Sequence, residues 1–171
     1  NPLTIQIGKR IRFDDAEWGE TYSKRTKAIS KHFKKNYAEL QKERETVHYW
    51  RENLLENYLY KGPVLVWYMK VKTRLEDNYE LFDQLIPKKG TITNLGCGYG
   101  FLDYMLSFRS KDRDILGIDY DEEKIKVAQN CSAKTDKINF FAGDIANINF
   151  RASDVFVLAD VLHYLKKEEQ F

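Results

Sequence analysis

A glycine-rich stretch that follows a short apolar run is the part of the sequence best suited to bind a ligand. Residues 91–95 lead into Gly96, Gly98 and Gly100, and a helical pattern begins at Phe101. Glycines at alternate positions permit a tight turn between a strand and a helix, and they let a ligand approach the backbone without meeting a Cβ atom. A strand-to-helix turn with no ligand can have the same glycines, so the neighbouring residues must distinguish a binding site from a structural turn.

Acidic residues stand where the later apolar runs end. Asp119 comes 23 residues after Gly96, close to the spacing of the ribose-binding acid in nucleotide sites, and Asp144 and Asp160 follow the next two runs. Because the carboxyl ends of parallel strands meet at one edge of a sheet, we expect these carboxylates to lie near the glycine turn. The Asp119 carboxylate can accept hydrogen bonds from both hydroxyls of a ribose. An alternative role for Asp119 is to cap a helix that begins near Glu122.

The composition of the turn separates two classes of nucleotide ligand. Dinucleotide sites usually have G-x-G-x-x-G, whereas here the glycines follow G-x-G-x-G and Phe101 stands at the third glycine's place. The turn contains no Arg or Lys, and several carboxylates are expected beside it. A ligand that carries positive charge and no phosphate fits this pattern, as S-adenosylmethionine does. A dinucleotide-dependent oxidoreductase is the less favoured alternative.

Short apolar runs and the helical segments between them predict the fold that positions these residues. We expect strands at 91–95, 114–118, 138–141 and 154–158, with helices at 101–108 and 122–129. Near-continuous apolar runs are typical of parallel strands buried on both faces. The sequence therefore predicts an α/β fold with a Rossmann-like parallel sheet of about four strands and an N-terminal α-helical extension.

The first 90 residues differ from the rest in pattern and charge. Residues 1–90 carry a net charge of +5 and residues 91–171 a net charge of −3. Helical periods predict one helix from 21 to about 47, a second that includes Trp50 and Tyr58, and a third across 65–86, with an internal boundary at Gly62 and Pro63. The positive charge is too dilute for a nucleic-acid footprint.

Several classes of protein and site are excluded by the residues that the chain lacks. No window approaches the run of about 20 apolar residues that crosses a bilayer. Cys97 and Cys131 make no disulfide framework, and no Cys/His cluster has the spacing of zinc ligands. We therefore expect a cytoplasmic protein without a bound metal, or one at the cytoplasmic face of the membrane within a larger protein.

Residues 91–165 resemble the class I S-adenosylmethionine-dependent methyltransferases. The resemblance implies an S-adenosylmethionine-dependent methyltransferase, of which 63–171 would be a partial cofactor-binding domain. Because the strands and loops that complete the acceptor pocket would be absent, the truncated chain can bind the cofactor without turnover. The same resemblance implies a cofactor site formed by Asn94, Gly96, Cys97, Gly98, Gly100, Asp119, Tyr120, Asp144, Ile145, Ala159 and Asp160.

The resemblance also implies a role for each of these positions. The glycine turn would wrap the methionine part, Asp119 would bind the ribose with Tyr120 beside the adenine, and Asp144 would bind the adenine amino group near the Ile145 backbone. The segment 159–160 would line the methionine and the acceptor. The family commonly has an acid two residues before the first glycine, where this chain has Asn94, an amide that carries no charge for the methionine ammonium.

The sequence offers one candidate general base and one candidate nucleophile. His163, three residues after Asp160, is the candidate general base if the acceptor must lose a proton, and the alternative is a packing or water-binding role. Cys97 is a poor candidate nucleophile because no histidine lies close in sequence. The methyl acceptor is unidentified, and we expect a small molecule that is hydrophobic or related to lipids.

Residues 1–62 are similar to the C-terminal tail of bacterial lysophospholipid acyltransferases. The likeness rests on residues 7–11, 14–15, 18–22 and 25–27, and this order of domains resembles bacterial proteins that fuse an MMPL-type transporter, an acyltransferase and a methyltransferase. No acyl transfer is expected, because Tyr37 stands where the Asp of a His-x4-Asp motif would follow His32. Adjoining domains of a longer chain are the expected partners, and a non-catalytic linker or docking module between the two domains is the alternative function.

Overall fold

This computed structural model describes residues 12, 19–44, 46–76, 78–148, 151–159 and 161. The chain divides into two compact units, Asn1–Glu43 and Arg44–Phe171. Most of the segment that carries the acyltransferase resemblance, and also Asp160 and His163, lie outside the described residues. Within the described ranges, none of the helices has the combined length and apolar character that a membrane crossing requires.

The first unit is built on one helix, α1, over Tyr22–Arg44. The helix predicted from 21 to about 47 is confirmed. Its aromatic side chains Tyr22, Phe33 and Tyr37 are all exposed.

The second unit begins with helices that precede the sheet. These are α2 (Val47–Glu56), a short 3-10 helix (Leu59–Lys61), α3 (Pro63–Leu75) and α4 (Asn78–Leu85). Gly62, with a φ of 98°, and Pro63 begin α3 as predicted. The prediction of one helix across 65–86 was wrong, because Glu76 is extended and ends α3. The apolar period continues past this break because both helices bury residues in the same core.

A four-stranded parallel sheet forms the centre of this unit, as predicted. The strands are β1 (Lys89–Leu95), β2 (Asp112–Asp119), β3 (Ile138–Ala142) and β4 (Val155–Leu158), in the spatial order β3-β2-β1-β4. Helix α5 (Phe101–Arg109) follows β1, and α6 (Glu122–Gln129) follows β2. Strands β2 and β3 are added in turn on one side of β1, and β4 then pairs with the other side of β1. In open α/β sheets, ligands bind beyond the carboxyl ends of the strands at such a reversal.

Residues before the predicted boundary at 62 pack with the sheet unit. The Tyr58 ring is fully buried, and its centroid lies 5.0 Å from that of Phe101. Its hydroxyl donates to the Tyr99 carbonyl in the glycine turn at 2.7 Å. Asn57 Oδ1 accepts a hydrogen bond from Ser132 Oγ at 2.9 Å. The compact unit therefore begins earlier in the chain than the boundary expected from the Gly-Pro break.

A buried ion cluster lies at the amino end of β2, away from the glycine turn. Asp83 of α4 contacts Lys88, Arg109 and Arg113 at 2.6, 2.8 and 2.9 Å. The Arg113 side chain is completely buried. Its Nε donates to the Pro87 carbonyl. Its two terminal nitrogens donate to Oδ1 of Asp83 and to the main-chain carbonyls of Asp83, Ile86 and Leu106. A guanidinium has five N–H donors, so Arg113 is fully hydrogen-bonded.

Candidate functional site

Hydrogen bonds to the end of β2 hold the turn between β1 and α5. The N–H groups of Gly96 and Cys97 donate to the Ile118 carbonyl at 2.7 and 3.0 Å. The N–H of Gly98 donates to Oδ2 of Asp119 at 2.7 Å. Residues 96–98 are therefore positioned by the neighbouring strand, and the turn and Asp119 form one structural element.

The glycines of the turn are required for different reasons. Gly96, Gly98 and Gly100 have φ values of 77°, 56° and 77°, in the left-handed region that other residues adopt only with strain. A Cβ at Gly96 would collide with Val161, and one at Gly100 would lie 2.7 Å from the Phe140 ring. A Cβ at Gly98 would meet no atom within 4 Å. Gly98 is therefore the point where the turn is open to a ligand.

Asp119 is buried and has both oxygens in use. Oδ2 accepts from Gly98, and Oδ1 accepts from the Asp121 N–H at 3.0 Å. Each carboxylate oxygen retains a further lone pair for a ligand hydroxyl. The alternative that Asp119 caps α6 was wrong, because the cap is Asp121, whose side chain accepts from Glu123 N and Lys124 N.

The other predicted cofactor residues lie on both sides of this element. The Gly143 N–H donates to the Asp119 carbonyl at 2.9 Å, which brings the end of β3 and the following Asp144 to the same edge. Asp144 is exposed and accepts from Ala146 N and Asn147 Nδ2, while Ile145 is half-buried. Tyr120 is 72% exposed, with Lys124 Nζ 6.0 Å from its ring centroid. Ala159 follows Leu158, which pairs with Leu95 at the start of the turn.

A buried polar pair behind the turn was not predicted in full. Asn94 Nδ2 donates to Oδ2 of Asp103 at 2.8 Å, and both residues are almost inaccessible to solvent. Burial raises the pKa of Asp103 to about 7, although the hydrogen bond from Asn94 acts in the opposite direction. The signal in the sequence was an acid within the apolar stretch 101–106 of α5, every residue of which is buried.

Cys97 has the properties of a packed thiol. Its side chain is buried, and burial together with the Asp103 and Asp119 carboxylates raises its pKa well above the usual value. The thiol is thus protonated at neutral pH, whereas nucleophilic cysteines need the thiolate. In the part of the chain that the structure describes, no three His, Cys, Asp or Glu side chains are grouped to hold a metal ion.

Comparisons with known proteins concern the second half of the chain. A protein-family model described as "Methyltransferase domain" matches residues 92–171. No curated protein matches the chain.

Solved structures with a similar fold were also found. PH0226 protein from Pyrococcus horikoshii is 20% identical over 58% of this chain and 47% of its own, with a TM-score of 0.47. A putative S-adenosylmethionine-dependent methyltransferase from Listeria monocytogenes is 22% identical over 54% and 45%, with a TM-score of 0.45. PKMT2 from Rickettsia typhi, in complex with AdoHcy, is 20% identical over 48% and 17%, with a TM-score of 0.44. The chain thus spans less than half the length of each of these proteins. Residues 92–171, which contain the glycine turn, Asp119 and Asp144, are similar to a methyltransferase domain.

Proposed function

We propose that the Arg44–Phe171 unit binds S-adenosylmethionine and serves methyl transfer to a hydrophobic small-molecule or lipid-related acceptor. The observation that carries the proposal is the open side of Gly98, held by a buried carboxylate at the tip of the next strand. The similarity of residues 92–171 to a methyltransferase domain supports it.

The residues present fit a cationic nucleoside. Two buried oxygens, Asn94 Oδ1 and Asp103 Oδ1, have no hydrogen-bond donor among the described residues. The turn itself contains no Arg or Lys. Lys124 Nζ lies 5.9 Å from the ring centroid of Tyr99 in the turn, and it contacts Asp121 at 3.4 Å. Unused buried acceptors and an absence of cations in the turn suit a ligand that brings positive charge and donors.

Each part of the bound ligand has residues suited to it. When bound, S-adenosylmethionine supplies an activated methyl group for displacement by an acceptor atom. The turn 96–100 would lie against the methionine part, Asp119 would accept from the ribose hydroxyls, and Asp144 and Ile145 would lie at the adenine. The chain's contribution to rate is then positioning, which converts an encounter in solution into a reaction between held groups. His163 stays the predicted general base, and it lies outside the described residues.

Calorimetric titration of the intact chain with S-adenosylmethionine and with S-adenosylhomocysteine tests the proposal. Asp119→Ala should weaken binding about 10-fold to 100-fold, because a charged hydrogen-bond partner is lost and Gly98 loses its anchor. Asp112→Ala, an exposed residue at the other end of β2, is the matched control and should leave affinity unchanged. If the folded chain binds neither compound, the proposal is wrong. That result would favour the alternative, a non-catalytic linker or docking module.

We infer from the resemblance of residues 1–62 that the unit adjoins an acyltransferase domain in a longer bacterial protein at the cytoplasmic face of the membrane. The neighbouring lipid chemistry is the reason to expect a hydrophobic acceptor. The coding sequence on both sides of the 171 codons tests this, and a gene without an acyltransferase segment upstream would contradict it.

A further inference from the structure

We infer that Asp103, linked to Asn94, supplies the negative charge that attracts the cationic amino-acid end of the bound ligand, a charge that position 94 lacks. This inference rests on the proposed function. It assigns a role in ligand recognition to a residue of α5 outside the glycine turn.

The pair flanks the turn on both sides. Asn94 lies in β1 two residues before Gly96, and Asp103 lies in the first turn of α5 after Gly100. Their hydrogen bond, from Asn94 Nδ2 to Asp103 Oδ2, spans 2.8 Å. Asn94 is 3% exposed and Asp103 is 0% exposed. The two ends of the turn are therefore joined by a polar contact in the interior of the protein.

The contact leaves two acceptors unused. Oδ1 of Asn94 and Oδ1 of Asp103 are buried, and the structure gives them no hydrogen-bond partner among the described residues. Buried acceptors of this kind are rare and unfavourable, and each requires a donor from water, an ion or a ligand. An alkylammonium group has three N–H donors and a positive charge, and the two unused oxygens have neither a donor nor a cation beside them.

Among the described residues, no Lys or Arg forms an ion pair with the Asp103 carboxylate, and Lys124, whose charge acts on Cys97, contacts Asp121 at 3.4 Å. The Asp103 carboxylate contributes to the raised pKa of four groups, which are Cys97 of the turn, Tyr58 after α2, Tyr79 of α4 and Tyr104 of α5. The pKa of each is raised by burial, so all four are neutral near pH 7. A ligand ammonium at the turn would be the cation that this interior site is missing.

The interaction can act without direct exposure of the oxygens. Charges in the interior are screened much less than charges at the surface, so a carboxylate behind the turn attracts a cation in front of it. Direct contact would require the glycine backbone to shift, and glycine permits this more readily than any other residue. Attraction through the turn and direct contact both favour the ionised form of Asp103 when the ligand is bound.

Two ligands that differ in the amino-acid end test the inference. S-adenosylhomocysteine has the ammonium group, and 5′-methylthioadenosine lacks the whole amino-acid end but keeps the nucleoside. Asp103→Asn should weaken binding of S-adenosylhomocysteine about tenfold or more and change that of 5′-methylthioadenosine less than twofold. The double variant Asn94→Asp with Asp103→Asn restores the charge next to the turn and should recover most of the lost affinity. Asp114→Asn, an exposed acid of β2, is the matched control.

A measurement on the unmodified chain covers the case in which Asp103→Asn does not fold. Burial raises the pKa of Asp103 to about 7. The ammonium group of S-adenosylhomocysteine is that of an ordinary amino acid, which loses its proton only above the range from pH 6 to pH 8. Affinity for S-adenosylhomocysteine, relative to that for 5′-methylthioadenosine, should therefore rise several-fold from pH 6 to pH 8. A flat ratio would overturn the inference.

The outcomes separate the inference from the function on which it rests. If the folded chain binds neither ligand, the proposed function fails and the inference fails with it. If both ligands bind and Asp103→Asn weakens both equally, Asp103 has a structural role only and the inference is wrong. If both bind and the variant changes neither affinity, the inference is wrong and the proposed function stands.

Discussion

Replacing Asp83 by Asn should destabilise the Arg44–Phe171 unit more than any exposed charge substitution. The Asp83 carboxylate contacts Lys88, Arg109 and Arg113, and the Arg113 side chain has no solvent exposure. The amide leaves a guanidinium buried without a counter-charge, which typically costs about 3–5 kcal/mol. Lys88 is 53% exposed and adds less than about 1 kcal/mol. The expected loss is therefore about 3–5 kcal/mol, a large share of the 5–15 kcal/mol that stabilises a typical domain.

The same cluster sets the pH dependence of stability. Burial by itself would raise the pKa of Asp83, but hydrogen bonds from Lys88, Arg109 and Arg113 hold it below the usual value. A carboxylate whose pKa is lowered by folding contributes stability that is fully present above its unfolded pKa of about 3.9. That contribution is lost as the pH falls through the lower, folded pKa. The difference between wild type and Asp83→Asn should thus be constant from pH 7 to 5 and shrink below pH 4.

Urea unfolding followed by circular dichroism measures both effects. Glu122→Gln is the matched control, since it makes the same chemical change in an exposed pair with Lys126 and should cost less than about 1 kcal/mol. The cluster lies at the amino end of β2, opposite Asp119, so Asp83→Asn should leave ligand affinity unchanged under conditions where it is folded. A loss below 1 kcal/mol at pH 7 would refute the reasoning that Arg113 depends on this carboxylate.

Three further outcomes are expected at the turn. Gly98→Ala should cost only the roughly 1–2 kcal/mol of a left-handed residue in urea unfolding, because its Cβ meets no atom, yet should weaken S-adenosylhomocysteine binding in calorimetry at least tenfold. Gly100→Ala should lower the melting temperature more than Gly98→Ala does, because its Cβ would lie 2.7 Å from the Phe140 ring, and equal melting temperatures would contradict this. Burial raises the pKa of the Cys97 thiol well above its usual value and that of Cys131 to about 11. Both should therefore react with iodoacetamide at pH 8 far more slowly in the folded chain than in urea, as counted by mass spectrometry.

Much of the sheet was predictable because its signals are local. Each strand is a short apolar run bounded by turn residues, and all four were placed within about two residues of their bounds. Helix α6 was predicted with its observed bounds, because its apolar period and its acidic first turn both lie within the eight residues of the helix itself. The break between α3 and α4 was missed because two helices that bury residues in one core keep a nearly continuous period.

The candidate site was predictable to a lesser extent. The glycines and Asp119 were found because strand order places the carboxyl ends of β1 and β2 side by side. Asp121 as the cap of α6 was missed because Asp119 and Asp121 are both acids just before the helix. Their roles differ because the Gly98 N–H lies within reach of Asp119.

The sequence by itself determined the succession along the chain of the four strands with α5 and α6, the position of the glycine turn and the carboxylates that follow the strands. These depend on backbone preferences and hydrophobic periods within a few residues. Only the tertiary structure decided which oxygens have partners: Asp119 is held by Gly98, while Oδ1 of Asp103 and Oδ1 of Asn94 have none among the described residues. Hydrogen-bond satisfaction depends on groups far apart in the chain that meet only when the sheet and its helices have packed, and no local pattern records it.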